Sequence, residues 1–131
     1  YPDVQPFSVV PRKPALTLYP CSMCHGAMTP NPTPRKLVAA PHVADLQHGA
    51  GRIWCTNCHS LEQRDQLENL RGEQVDFDRS DLVCGQCHFD RHRDWHYGGH
   101  GKRDANWDGE RRLYACTHCH DPYSPKLKAR E

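Results

Sequence analysis

The chain has 131 residues, a formal net charge of +1, a mean hydropathy of −0.87 and 37 % hydrophobic residues, with only three Phe. That is the length of one domain, with too little aliphatic material to offset conformational entropy by side-chain burial alone. Interspersed acids and bases exclude a basic stripe for nucleic acid and a basic amphipathic helix for a membrane surface, and no segment approaches the roughly 20 apolar residues of a membrane span.

Residues 1–20 are spaced by proline and extended, with Phe7, Val9, Val10, Leu16 and Leu18 forming an apolar edge without helical period. They read as an N-terminal arm that trails free or lies across the protein or a neighbouring copy by strand addition. The start at Tyr1, without Met or a charged-then-apolar leader, reads as a mature chain after signal removal. Residues 21–131 form the second unit. Within it, residues 29–41 are a second proline-rich linker. Residues 59–72, with Leu61, Leu67 and Leu70 among charges, predict a short amphipathic helix ending near Gly72. Residues 86–97 predict another, and the tail from Pro122 is loop. The expected fold is mostly irregular, with short α-helices wrapped around a core that side chains do not supply, and little or no β-sheet.

The cysteines say what that core is. All eight fall in four copies of one pattern: Cys21-Ser22-Met23-Cys24-His25, Cys55-Thr56-Asn57-Cys58-His59, Cys84-Gly85-Gln86-Cys87-His88 and Cys116-Thr117-His118-Cys119-His120. C-x-x-C-H is the attachment signature of c-type haem. Two thiols three positions apart can each form a thioether to one of the two porphyrin vinyl groups, and the histidine that follows is placed beneath the iron as proximal ligand. Paired C-x-x-C motifs also build zinc ribbons, and a single one can be a redox disulfide. Neither chemistry needs histidine after the second cysteine. With ten His in 131 residues, four such placements arise by chance about once in 30,000. The motif starts are 34, 29 and 32 residues apart, so four haem c groups would lie close together and form the interior themselves.

His25, His59, His88 and His120 are then the proximal ligands, and His42, His48, His92, His96, His100 and His118 remain for the distal positions. His42 follows Pro41, His48 precedes glycine, and His100 sits in Gly98-Gly99-His100-Gly101, where absent side chains let backbone approach a flat macrocycle. His118 is pinned between two anchored cysteines and would reach a neighbouring haem. These four are the expected distal ligands. His92 and His96, spaced i, i+4 among Arg91, Arg93 and Asp94, read as a solvated face or as propionate partners. Met23 and Met28 are tethered beside the first motif and suit packing against a porphyrin edge better than ligation.

The run from Trp54 to Pro125 resembles a group of small multihaem cytochromes of exported electron-transport chains. The resemblance rests on Cys84-Gly85-Gln86-Cys87-His88, Arg93-Asp94-Trp95, Gly98-Gly99-His100-Gly101-Lys102-Arg103, Trp107-Asp108-Gly109 and Cys116-Thr117-His118-Cys119-His120-Asp121-Pro122. More broadly the chain is similar to the class III (cytochrome c3 and c7-like) multihaem cytochromes. That resemblance implies bis-His haems of low potential, with His100 and His118 among the ligands, and says little about residues 1–40.

Closed bis-His ligation leaves no coordination position for a substrate, so the expected function is electron transfer, not catalysis. The partners would be redox proteins or further copies of the chain. The alternative is a repeating subunit of an extracellular conductive filament, a homopolymer joined through the arm and a donated histidine. A multihaem reductase subunit is a distant third. Roughly eight propionates would make the loaded protein anionic, with Arg91–Arg93, Lys102–Arg103 and Arg111–Arg112 as their candidate partners. Attachment chemistry and eight thiols place it outside the cytoplasmic membrane, periplasmic or extracellular.

Overall fold

The computed structural model describes residues 1–31, 33–34, 46–49, 52–104 and 108–125. Regular structure is short throughout. In chain order it comprises β1 (Ser8–Val9), α1 (Ser22–His25), β2 (Leu67–Glu68), β3 (Gln74–Val75), α2 (Asp81–Cys84), α3 (Phe89–His96), β4 (Arg112–Leu113) and α4 (Cys116–Cys119). Single 3-10 turns lie at Lys13–Ala15, Cys55–Asn57 and Phe77–Arg79. Among the described residues α3, with 8 residues, is the longest helix, and no helix is long and apolar enough to cross a membrane.

The strands make two minimal sheets. β1 pairs parallel with β4, Ser8 opposite Arg112 and Val9 opposite Leu113, while β2 and β3 form an antiparallel hairpin with Leu67 opposite Val75. The first pairing lays the arm on its own chain. Residues 1–20 lie across their own chain: Ser8 and Val10 donate backbone hydrogen bonds to Arg111 and Leu113 at 2.9 Å. The Phe7 ring meets Trp95 edge-on at 5.3 Å. Further along, the backbone N–H groups of Arg12 and Lys13 both donate to Asp78 Oδ1, and the Tyr19 hydroxyl donates to the Asp65 carbonyl.

Residues 59–72 are not the helix that their leucines predict. Their chain turns and enters β2, and the reason is local. The Asn69 side chain accepts the N–H groups of both Arg71 and Glu73 at 2.9 Å, a side-chain turn that competes with helical bonding. Gly72 then takes φ 80°, which closes the hairpin. Leu67 is buried against Val75 and Val83, whereas Leu70 faces outward. The second expected helix forms as α3, beginning at Phe89.

Side-chain burial is sparse. Among the described residues the buried apolar set is Leu67, Val75, Val83, Trp95, Leu113 and Ala115. The chain exposes 9869 Å², against about 7,000 Å² for a compact protein of its mass. Exposed Met23, Met28, Leu82, Phe89 and Tyr123 each lie within a C-x-x-C-H motif or no more than three residues from one. Apolar surface is therefore left open at the first, third and fourth motifs.

Candidate functional site

The four motifs adopt one local structure in four different contexts. In each, the histidine N–H bonds back to the carbonyl of the first cysteine: His25 to Cys21 at 2.9 Å, His59 to Cys55 at 2.8 Å, His88 to Cys84 at 3.0 Å and His120 to Cys116 at 2.9 Å. One turn of helix thus spans each motif, and residues three and four apart on a turn share a face. Elements of different kinds build these turns. The first is α1 and the last is α4; the second is the 3-10 turn Cys55–Asn57; the third joins the end of α2 to the start of α3.

The surroundings hold each turn in place. Ser22 N–H donates to Asp65 Oδ1 at 2.9 Å, tying the first turn to the loop that follows the second. The second turn opens on a cleft walled by Leu46, Ile53, Trp54 and Tyr123, with Cys55, Cys58, His59 and His48 on its lining. At the third, Gly85 is packed against the His92 ring, and an added Cβ would lie 2.6 Å from its Cγ. Third and fourth turns meet directly, with Ser80 Oγ 3.2 Å from Thr117 Oγ1. A hydrogen bond between the Cys84 and Cys116 thiols, reinforced by burial, pushes the Cys84 thiol up. Burial likewise pushes up Cys21 and Cys58.

All eight cysteines are free thiols. Among the described residues the group of three or more His, Cys, Asp or Glu close enough to share a metal ion is Asp81, His92 and His96, which contains no cysteine. The C-x-x-C pairs do not converge in the sets of four that a zinc ribbon requires. Each pair shares one helical turn with its histidine, the third and fourth touching through the Cys84 and Cys116 thiols, and two thiols with one imidazole on a turn fit a porphyrin held by two thioethers and one axial ligand.

Of the expected distal ligands, His42 lies outside the described residues. The His48 ring stands 6.0 Å from that of His88, and the His100 ring 6.3 Å from that of His120. His48 Nδ1 donates to the Pro122 carbonyl at 3.0 Å and His120 Nδ1 to the Pro125 carbonyl at 2.7 Å. His118 is engaged differently. Its Nδ1 accepts the Ala115 N–H at 3.0 Å, and its ring packs edge-on against Tyr114. His59 lies 5.9 Å from Phe77.

One buried cluster carries no signature in the sequence. Asp81 is 0 % exposed; it accepts Arg79 through both oxygens at 2.8 and 3.0 Å, and His92 Nε2 lies 2.9 Å from Oδ2. Burial alone would raise its pKa, but the bonds from Arg79 and His92 outweigh this and hold the carboxyl below its ordinary range. His92 and His96 therefore do not form the solvated face their charged neighbours suggest. Both are partly buried, and Tyr1 covers the His96 ring at 4.8 Å. Burial lowers the pKa of His96. Several expected propionate partners are also occupied within the protein. Arg111 binds the carbonyls of Gln5 and His96, Arg112 pairs with Asp104 at 2.6 Å, and Arg103 reaches the Gly109 carbonyl.

No family model, curated protein or solved structure matches the chain.

Proposed function

We propose that this chain is an exported electron-transfer cytochrome carrying four covalently attached c-type haems. The observation that carries the reading is the single helical turn common to all four C-x-x-C-H motifs, each with the same histidine-to-cysteine backbone bond. When bound, each haem supplies one iron that gains and loses a single electron without making or breaking a substrate bond.

The chain's own residues do the rest. Cys21 and Cys24, Cys55 and Cys58, Cys84 and Cys87, and Cys116 and Cys119 would each add a thiol across a vinyl group, so no cysteine is left over. His25, His59, His88 and His120 would present an imidazole nitrogen from the same turn. His120 is oriented by its Nδ1–H bond to Pro125, which leaves Nε2 as the free nitrogen. Distal imidazoles come from His48, His100, His42 and His118; the last would first release the Ala115 N–H. The exposed flanks Met23, Leu82, Phe89 and Tyr123 would be covered by macrocycles, giving the interior that the six buried apolar side chains among the described residues do not. Partners on this reading are redox proteins or further copies of the chain, outside the cytoplasmic membrane.

The test is a pyridine haemochrome assay with optical spectra of the reduced protein, with and without carbon monoxide. Four haem c per chain, low-spin and indifferent to carbon monoxide, is the expected result. Fewer haems, or stoichiometric zinc at the cysteines, would overturn the reading. A clear carbon monoxide shift in the native protein would point instead to an open iron and a reductase.

A further inference from the structure

Two pairs of near-parallel histidine rings stand about 6 Å apart. His48 and His88 lie 6.0 Å apart between centres with planes inclined by 23°; His100 and His120 lie 6.3 Å apart, inclined by 16°. The neighbouring His92 and His96 rings sit closer, at 4.3 Å. Two imidazoles bound to one metal through Nε2, with bonds of about 2 Å and about 1.1 Å from nitrogen to ring centre, stand about 6 Å apart. Each pair joins one motif histidine to one histidine from outside the motifs.

The hydrogen bonds agree on which nitrogen is free. A carbonyl oxygen only accepts, so the Pro122 and Pro125 carbonyls fix the protons of His48 and His120 on Nδ1 and leave both Nε2 lone pairs available. Both carbonyls belong to one short loop. That loop is braced by Asp121, whose Oδ1 accepts Tyr123 N–H and whose carbonyl accepts Ser124 N–H. Gln47 N–H donates to the Tyr123 carbonyl and so docks the His48 segment on the same loop. His100 is set by its own neighbour: Gly101 has φ 91°, and a Cβ there would lie 2.9 Å from Trp95 Cδ1, so only glycine lets the chain pass Trp95 at that point.

We infer that His48 is the distal ligand of the iron held by His88 and His100 that of the iron held by His120, with the loop Asp121–Pro125 orienting one ligand of each. This assignment rests on the four-haem reading and adds to it which histidine serves which iron. It crosses the chain order: the segment before the second motif completes the third site. The loop after the fourth motif then orients ligands of two irons at once.

The experiment uses the matured holoprotein with His48→Ala and His100→Ala, read by haem count, ferric electron paramagnetic resonance and carbon monoxide stoichiometry. Each single variant should keep four haems and convert one quarter of them to a high-spin, carbon monoxide-binding form that added imidazole restores. His48→Ala with His100→Ala should open two irons. His48→Ala with His88→Ala should open one, because both residues serve the same iron. If the alanine variants fail to mature, His48→Met and His100→Met should each give one sulfur-ligated haem with a raised potential. Four low-spin haems unaffected by these changes, or two irons opened by His48→Ala with His88→Ala, would overturn the assignment. A wild-type protein without four haems would instead overturn the reading on which it rests.

Discussion

Gly85 lies inside the third C-x-x-C-H turn, and its missing side chain is what lets the His92 ring reach Asp81. In Gly85→Ala the new methyl would lie 2.6 Å from His92 Cγ and 2.9 Å from the Asp81 carbonyl, so the ring must swing away. Displacing it breaks the 2.9 Å bond to the buried Asp81 carboxylate. A hydrogen bond to a charged group contributes about 1.5–3 kcal/mol, and overpacking adds about 1–3 kcal/mol. The substitution should therefore destabilise the protein by about 2.5–6 kcal/mol. His92→Ala removes the bond and the ring but leaves the Asp81 carbonyl 2.9 Å from the new methyl. In that background Gly85→Ala should cost only the remaining overpacking of about 1–3 kcal/mol, which gives a coupling of about 1.5–3 kcal/mol, that of the lost bond, in a double-mutant cycle. Urea unfolding of the holoprotein, followed by near-ultraviolet circular dichroism in the four members of the cycle, measures it. Equal costs of Gly85→Ala in both backgrounds would refute the packing of His92 on this turn.

Three further outcomes follow from the same contacts. Asp81 has a folded pKa below its unfolded value of about 3.9, so its contribution is present above that pH and lost as pH falls through the folded value. Asp81→Asn should cost about 2 kcal/mol at pH 7, and the gap to wild type should shrink toward pH 3 in urea titrations. Phe7 meets Trp95 and His96 edge-on and lies under the Arg79 and Arg111 guanidinium groups at 5.7 and 5.5 Å. Phe7→Ala should cost about 1–2 kcal/mol and speed cleavage within residues 1–20 in limited proteolysis with mass-spectrometric mapping; an unchanged rate would mean that the arm is held elsewhere. On the four-haem reading, protein made without haem attachment should be expanded in small-angle scattering, because the six buried apolar side chains among the described residues hold little together, and a chelator should leave the holoprotein unchanged.

The four C-x-x-C-H turns were legible in the sequence because their residues are contiguous. Two thiols and an imidazole within five residues imply one turn of backbone, and the four turns have that form whatever precedes them. The shortage of core followed from composition for the same reason, since residues that are absent cannot be buried anywhere. The helix expected over 59–72 failed where a side chain took over from the pattern: Asn69 captures the Arg71 N–H, a backbone donor that the helix would have used, and leucine spacing carries no record of that competition.

What only the tertiary structure decided is everything that joins distant positions. The chain has ten histidines in similar polar settings, and spacing alone does not say that His48 faces His88 while His118 caps its own helix. Nothing around Arg79 and Asp81 announces a buried ion pair closed by His92. The arm could have trailed free; instead Arg111 reaches back 106 residues to the Gln5 carbonyl, and β1 pairs with β4. The physical reason is that bonds within a turn are fixed by local backbone geometry, whereas contacts across 40 or more residues depend on which path buries the few apolar groups and satisfies the most polar ones.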